Sequence, residues 1–228
     1  MDNTFSGPPN PWLSWTWVHN HAAELGTALQ QHVTITLAAM AMALLASFPL
    51  ALVARRFRRT EAPILAVAGI LYTVPSLALI AALVPWLGLT QWPVVVALAI
   101  YAVLVLVRNL VVGLDDVPAD VVDAARGMGL SRTRILWRVE LPLALPAVMA
   151  GVRVATVSTI GLLTIGGYLG VGGFGNLITE GLQLTVGRAQ VVTASLCCVA
   201  LALLADAALL GIQRFLTPWA RRRSPAAP

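Results

Sequence analysis

Ten carboxylates, fifteen arginines, three histidines and two cysteines are the main ionisable groups from which this sequence can build chemistry, and they converge on no catalytic set. No Ser/His/Asp, Cys/His or paired-carboxylate constellation is apparent in the apolar stretches, so no residue is assigned a catalytic role. Cys197 and Cys198 are adjacent within an apolar run, which supplies neither a disulfide framework nor metal-ligand spacing; they read as small packing residues. His19, His21 and His32 have no Asp, Glu or Cys arranged around them as a metal site requires, and read as solvated or interfacial. A G-x-x-x-x-G-K-[ST] phosphate loop is absent, so ATP cannot be held here in that way.

The charge that remains is gathered in one long polar stretch, Asp115 to Pro146. Asp115 and Asp116 are placed to cap a helix with Pro118 in its first turn, and Gly129 to end that helix in a left-handed conformation. Ser131 can start a second short helix, with Ile135, Leu136 and Val139 at helical spacing and Arg132, Arg134 and Arg138 supplying charge. Pro142 and Pro146 are expected to stop it. Helix, turn, helix with four arginines (126, 132, 134 and 138) also has the spacing of a DNA reader, at Ala125, Gly129 and Ile135. The apolar runs Val94 to Val107 and Ala147 to Leu163 oppose that reading. They pin the segment at a membrane surface, away from a major groove.

The elements that position this segment follow from composition. Hydrophobic residues are 58% of the chain and charged residues 11%, against roughly 25% charged in a soluble domain. This predicts an all-α integral membrane protein. Five stretches reach the roughly twenty residues that a hydrocarbon core requires, near Val33–Ala54, Ala62–Val84, Trp92–Val112, Ala147–Leu169 and Val191–Ile212. Arg55, Arg56, Arg58 and Arg59 follow the first, Arg108 ends the third, the polar segment carries four more, and Arg214 with Arg221 to Arg223 follow the fifth. Positive-inside bias then puts the N-terminus outside, the C-terminus and polar segment in the cytoplasm, and Arg188 alone in an outer loop. The expected organisation is an extracytoplasmic or interfacial leader over 1–31, rich in Trp and Pro, a membrane domain over 32–213, and a basic tail over 214–228.

Within the spans, Pro75 frees a carbonyl beside Thr73 and Ser76, and the resulting kink can line a pathway or be a packing bend. Gly166 to Gly175 holds six glycines. Its formal G-x-G-x-x-G (Gly170, Gly172, Gly175) has no preceding strand, which argues against a dinucleotide site. Gly166, Gly170, Gly172, Gly173 and Gly175 can form a pliant outer hinge or gate, or serve close helix packing. Arg153 and Asp206 each lie roughly 10 Å in from a cytoplasmic helix end at 1.5 Å per residue, so they can neutralise each other across the fourth and fifth spans or snorkel separately.

Asp123-Ala124-Ala125, three residues, Gly129, nine residues and Val139-Glu140-Leu141-Pro142 together resemble the EAA motif of type I ABC importer permeases, with Asp for the Glu and Val for the Ile. The resemblance implies a MetI-like architecture in a bacterial inner membrane. It makes 115–146 the segment that docks on an ATPase, with Arg126, Arg132 and Arg134 as contact candidates. It also implies a homodimer or a heterodimer with a sibling permease, two cytoplasmic ATPases that carry ATP and magnesium, an extracytoplasmic solute-binding protein and surrounding lipid. No cofactor or nucleic acid is expected in this chain.

Further strings narrow the resemblance: Val74-Pro75-Ser76-Leu77-Ala78-Leu79, Arg108-Asn109 with Gly113, Ala124 to Gly129, Ala150-Gly151-Val152-Arg153 and Gly170 to Gly175. They are similar to importers of glycine betaine, choline and carnitine, with methionine or another small solute as the alternative. Tyr72, Trp86 and Tyr168 are the aromatic faces on offer to a quaternary ammonium group. One departure is Leu110, where the family pattern has Thr after the asparagine.

Overall fold

The computed structural model describes residues 10–184 and 187–219. Pro8 and Pro9 of the expected leader, and Arg221 to Arg223 of the basic tail, lie outside the described residues. All regular structure among the described residues is helical: α1 (Trp15–Asn20), α2 (Ala22–Arg56), α3 (Arg58–Thr73), α4 (Ser76–Leu87), α5 (Trp92–Asp115), α6 (Ala119–Gly127), α7 (Arg132–Ile135), α8 (Leu141–Leu163), α9 (Phe174–Gln183) and α10 (Arg188–Leu216). A π-turn over Leu136–Glu140 joins α7 to α8, and a 3-10 stretch over Thr164–Leu169 follows α8.

Among the described residues four stretches are long and apolar enough to cross a membrane: Ala22–Arg56, Trp92–Asp115, Arg132–Leu169 and Arg188–Leu216. A fifth, α3 with α4, is bent by 97° at its break. Five spans were expected, the second as a kinked helix. The chain instead leaves helical geometry altogether at Val74 (ψ 131°) and Pro75 (ψ 132°). The proline ring disfavours the α conformation at the residue before it and donates no N–H of its own. The first span also begins earlier than the apolar pattern indicates, since α2 starts at Ala22. Helix α9 occupies sequence expected to be outer loop, and Arg188 opens α10, its guanidinium 4.8 Å from the centre of the Trp12 ring.

The chain divides into two compact units. The first, drawn from Met1–Ala39, Pro75–Leu98 and Thr159–Leu203, buries Ile35, Ile80, Val94, Val95, Leu98, Ile160, Leu163 and Phe174. His32 is among these, fully buried, which corrects its reading as a solvated or interfacial residue.

The second unit, drawn from Met40–Val74, Ala99–Ser158 and Leu204–Pro228, has a core of small side chains: Ala43, Ala51, Ala54, Ala99, Ala102 and Ala155 around Leu106, Val107 and Leu110. Small residues let helix backbones approach where lipid offers no hydrophobic drive to associate. Two glycines stand where α5 and α8 approach closely. A Cβ on Gly151 would stand 2.5 Å from the Asn109 Cβ, and one on Gly113 would stand 2.9 Å from that of Ala147. This gives a packing reason for the strings Arg108-Asn109 with Gly113 and Ala150-Gly151.

The polar segment departs from expectation at both ends. Asp115 and Asp116 do not cap α6. Buried Leu114 extends the apolar face of α5, so Asp115 becomes that helix's last residue, and Pro118 stands at the N-cap of α6, without a side-chain capping bond. Nor do Pro142 and Pro146 stop the second helix. The chain passes from α7 through the π-turn, where the Leu141 N–H bonds the Leu136 carbonyl, and continues as α8 with Pro142 near its start and Pro146 inside it. The wider turn just before Pro142 adjusts the backbone where proline cannot donate.

Candidate functional site

Helix α6 has nine residues, too few to be stable by itself in water, so it depends on its cap and on packing. Gly129 supplies the cap at φ +79°. The Gly129 N–H bonds the Arg126 carbonyl at 2.9 Å and the Leu130 N–H bonds the Ala125 carbonyl at 3.2 Å, the two hydrogen bonds of a Schellman motif. Ala125 and Leu130 then belong to one apolar cluster with Leu114, Val122, Ile135 and Ala144, which holds the inner face of α6.

The motif residues therefore divide by face. Ala125 is buried, and Val139, Leu141 and Pro142 are half-buried. Asp123, Ala124, Gly129, Arg126, Arg132 and Arg134 are exposed, as is Met128. Asp123 and Arg126 pair at 2.9 Å along the outer face of α6. An open cleft of about 470 Å³ is lined by Leu52, Arg55, Arg56, Arg126, Arg132, Ile135, Leu136 and Glu140. The arrangement presents a rigid, charged helix face with no partner among the described residues. It can receive another protein but offers no nucleophile or acid/base pair.

Sequence reasoning missed the charges beneath this face. Arg55, at the end of α2, donates from Nη1 and Nη2 to the two Glu140 oxygens at 2.7 and 2.9 Å, and from Nε to Asp115 at 3.3 Å. Arg58 reaches the other Asp115 oxygen at 2.8 Å and Glu61 at 3.3 Å. Glu140 is 8% exposed, and a carboxylate that buried requires such partners. The available signal was an acid lodged among Val139, Leu141 and Leu143, since a lone acid in an apolar stretch demands a cation from elsewhere in the fold.

Arg153 of α8 and Asp206 of α10 meet in a two-pronged pair, Nε and Nη2 each 2.8 Å from a carboxylate oxygen. Gln213 adds a bond from α10 to the Pro146 carbonyl at 3.4 Å. The pair cancels two charges that would each be costly in hydrocarbon.

The glycine-rich stretch is a close-packed knot. A Cβ on Gly167 would collide with the Gly175 carbonyl, one on Gly172 with the Gly167 N–H, and one on Gly175 with the Thr164 carbonyl. A Cβ on Gly166 would stand 3.2 Å from Val94 Cγ1, and Gly170 and Gly173 adopt φ of +73° and +56°. Gln31 and His32 of α2 hold the knot. Gln31 Oε1 accepts the Gly173 N–H at 3.2 Å, and His32 Nδ1 accepts the Phe174 N–H at 3.3 Å while its Nε2 donates to the Ile160 carbonyl at 3.0 Å. Asn176 closes the turn, accepting from the Gly172 N–H at 2.7 Å and donating to the Gly170 carbonyl at 3.0 Å.

At the break before Pro75, Thr73 Oγ1 donates to the Ile70 carbonyl at 2.7 Å and the Tyr101 hydroxyl donates to the Val74 carbonyl. The Tyr72 ring stands edge-on to Tyr101, centroids 5.6 Å apart. Of the three aromatic candidates, Tyr72 thus has an aromatic partner; Trp86 and Tyr168 are 85% and 65% exposed.

Residues 43–222 match the family described as the binding-protein-dependent transport system inner membrane component. The chain is 34% identical over 212 residues to the choline transport system permease protein OpuBB of Bacillus subtilis, covering 91% of this chain and 95% of that one. It is 34% identical over 199 residues to the carnitine transport permease protein OpuCB of Listeria monocytogenes, covering 85% and 88%. It is 32% identical over 204 residues to the osmoprotectant import permease protein OsmW of Salmonella typhimurium, covering 87% and 94%. Among solved structures, an inward-facing conformation of the MetNI methionine ABC transporter superposes with a TM-score of 0.78 over 87% of this chain and 98% of that one, at 19% identity. That likeness establishes the fold.

Proposed function

The chain belongs to the binding-protein-dependent permeases of ABC importers, as a multi-pass inner membrane subunit and not an enzyme, and from that premise we propose that it carries a quaternary ammonium osmoprotectant across the membrane. Glycine betaine, choline and carnitine all bear a trimethylammonium group, and relatives along nearly the whole chain are named for their transport. The observation that carries the coupling half of the proposal is the capped, exposed α6 on the EAA-like residues Asp123, Ala124, Ala125 and Gly129.

In this reading two permease chains, identical or paired with a sibling, enclose the path. Two ATPases that hold ATP and magnesium dock on α6, and a solute-binding protein delivers the solute from the opposite side. Closure of the ATPases moves α6 as a rigid body, and the spans continuous with its flanks alternate the side of access. The Gly166 to Gly175 knot and the break at Pro75 are the gate candidates. Tyr72 offers an aromatic face to the cation.

The test is uptake of labelled glycine betaine by salt-stressed cells with and without the chain, with unlabelled choline, carnitine and methionine as competitors. Uptake lost with the chain, restored on its return and suppressed by choline and carnitine supports the assignment. Betaine uptake indifferent to the chain moves the solute to methionine or another small molecule.

A further inference from the structure

The coupling reading leaves open how a push on α6 reaches the first span, which is remote from it in sequence. The α6–α7 segment is anchored in the chain at two points, Asp115 at the end of α5 and Glu140 at the end of the π-turn. One guanidinium holds both. Arg55 spends Nη1 and Nη2 on Glu140, at 2.7 and 2.9 Å, and Nε on Asp115 at 3.3 Å, so every nitrogen of its planar fork is engaged. Apolar contacts beneath α6 resist separation but permit sliding. A two-pronged arginine–carboxylate pair fixes direction as well as distance.

Three features favour this arrangement at Arg55. It lies in the last turn of α2, where the helix dipole attracts a cation. Glu140 is nearly buried, so the partnership is the condition for keeping it charged. Asp115 is shared with Arg58, which also contacts Glu61, so the same network reaches the start of α3.

Resting on the coupling reading above, we propose that Arg55 is the positioning residue of the coupling segment, clamping both of its ends to the first span so that movement of the docked helix is passed to the membrane helices. It touches no solute; it lines the cleft beside α6, and its part is to hold the segment in place while the exposed face of α6 makes the ATPase contact.

The experiment uses the whole transporter, permease with its ATPase and binding protein in liposomes, and reads ATP hydrolysed per solute imported. Arg55→Lys keeps the charge but loses the fork. The double variant Arg55→Leu with Glu140→Leu removes both charges, so no orphan carboxylate is left to unfold the chain. In both, the ATPase co-purifies and hydrolysis stays within about twofold of the parent, while ATP per solute rises about tenfold, the ratio set by one lost directional contact of about 1.4 kcal/mol. A ratio within twofold of the parent in the double variant overturns the proposal. Loss of ATPase co-purification overturns it as well, because the network would then be building the docking surface. Gly129→Val serves as the reference: if it uncouples while the Arg55 variants do not, the clamp fails and the coupling reading stands, and if neither uncouples, the coupling reading itself has failed.

Discussion

Substitution of Gly129 isolates backbone conformation from everything else at the candidate docking helix. At φ +79° the residue occupies left-handed space, and a Cβ there would meet nothing within 4 Å, so the first added carbon brings no clash of its own. An L-residue held at that φ costs about 1–2 kcal/mol, towards the upper end or beyond for a β-branched side chain and less for asparagine. The alternative is to open the turn and lose the bonds to the Arg126 and Ala125 carbonyls, at about 1 kcal/mol net each. Both routes cost about 2 kcal/mol for valine, which raises the population of misaligned α6 about 30-fold. The assay is ATP hydrolysed per solute imported by the reconstituted transporter. Coupling should worsen in the order Gly, Asn, Ala, Val. Valine coupling as well as glycine, or asparagine failing as badly as valine, would refute the argument, the first by removing the cap from function and the second by showing that side-chain presence rather than φ is what matters.

Other substitutions test the remaining joints. His32→Leu strips the acceptor from the Phe174 N–H and the donor from the Ile160 carbonyl, so the melting temperature in detergent should fall by the equivalent of about 1–3 kcal/mol, and His32→Gln should recover part of it. Gly151→Leu drives a side chain into Asn109 and should abolish a monodisperse peak in size-exclusion chromatography, whereas Gly161→Leu, where a Cβ meets nothing, should leave that peak intact. Asp206→Asn leaves Arg153 without its carboxylate and should lower the yield of folded protein, and neutralising both as Arg153→Met with Asp206→Leu should restore it; equal yields for all three would make the pair dispensable.

The importer reading was legible because it rests on local signals. Hydropathy marks spans wherever lipid is the solvent, and a glycine that must adopt positive φ marks the turn at 129. Even so, the apolar pattern misplaced the ends of helices, because a helix continues as long as it has something to pack on. Buried Leu114 drew α5 on to Asp115, which cost α6 its expected carboxylate cap. The π-turn carried the chain through Pro142, where a proline in sequence reads as a stop.

What the sequence determined by itself was therefore the membrane class, the four long apolar helices and the helix–turn–helix at 119–135. These depend on residue type and near-neighbour spacing. The partners of isolated polar residues came from tertiary structure alone: Arg55 with Glu140 and Asp115, and His32 between the Phe174 N–H and the Ile160 carbonyl. Arg55 and Glu140 are 85 residues apart, and no local rule links them. A buried charge or a bare backbone group states only that a partner must exist, and which residue answers is decided by how the helices are brought together.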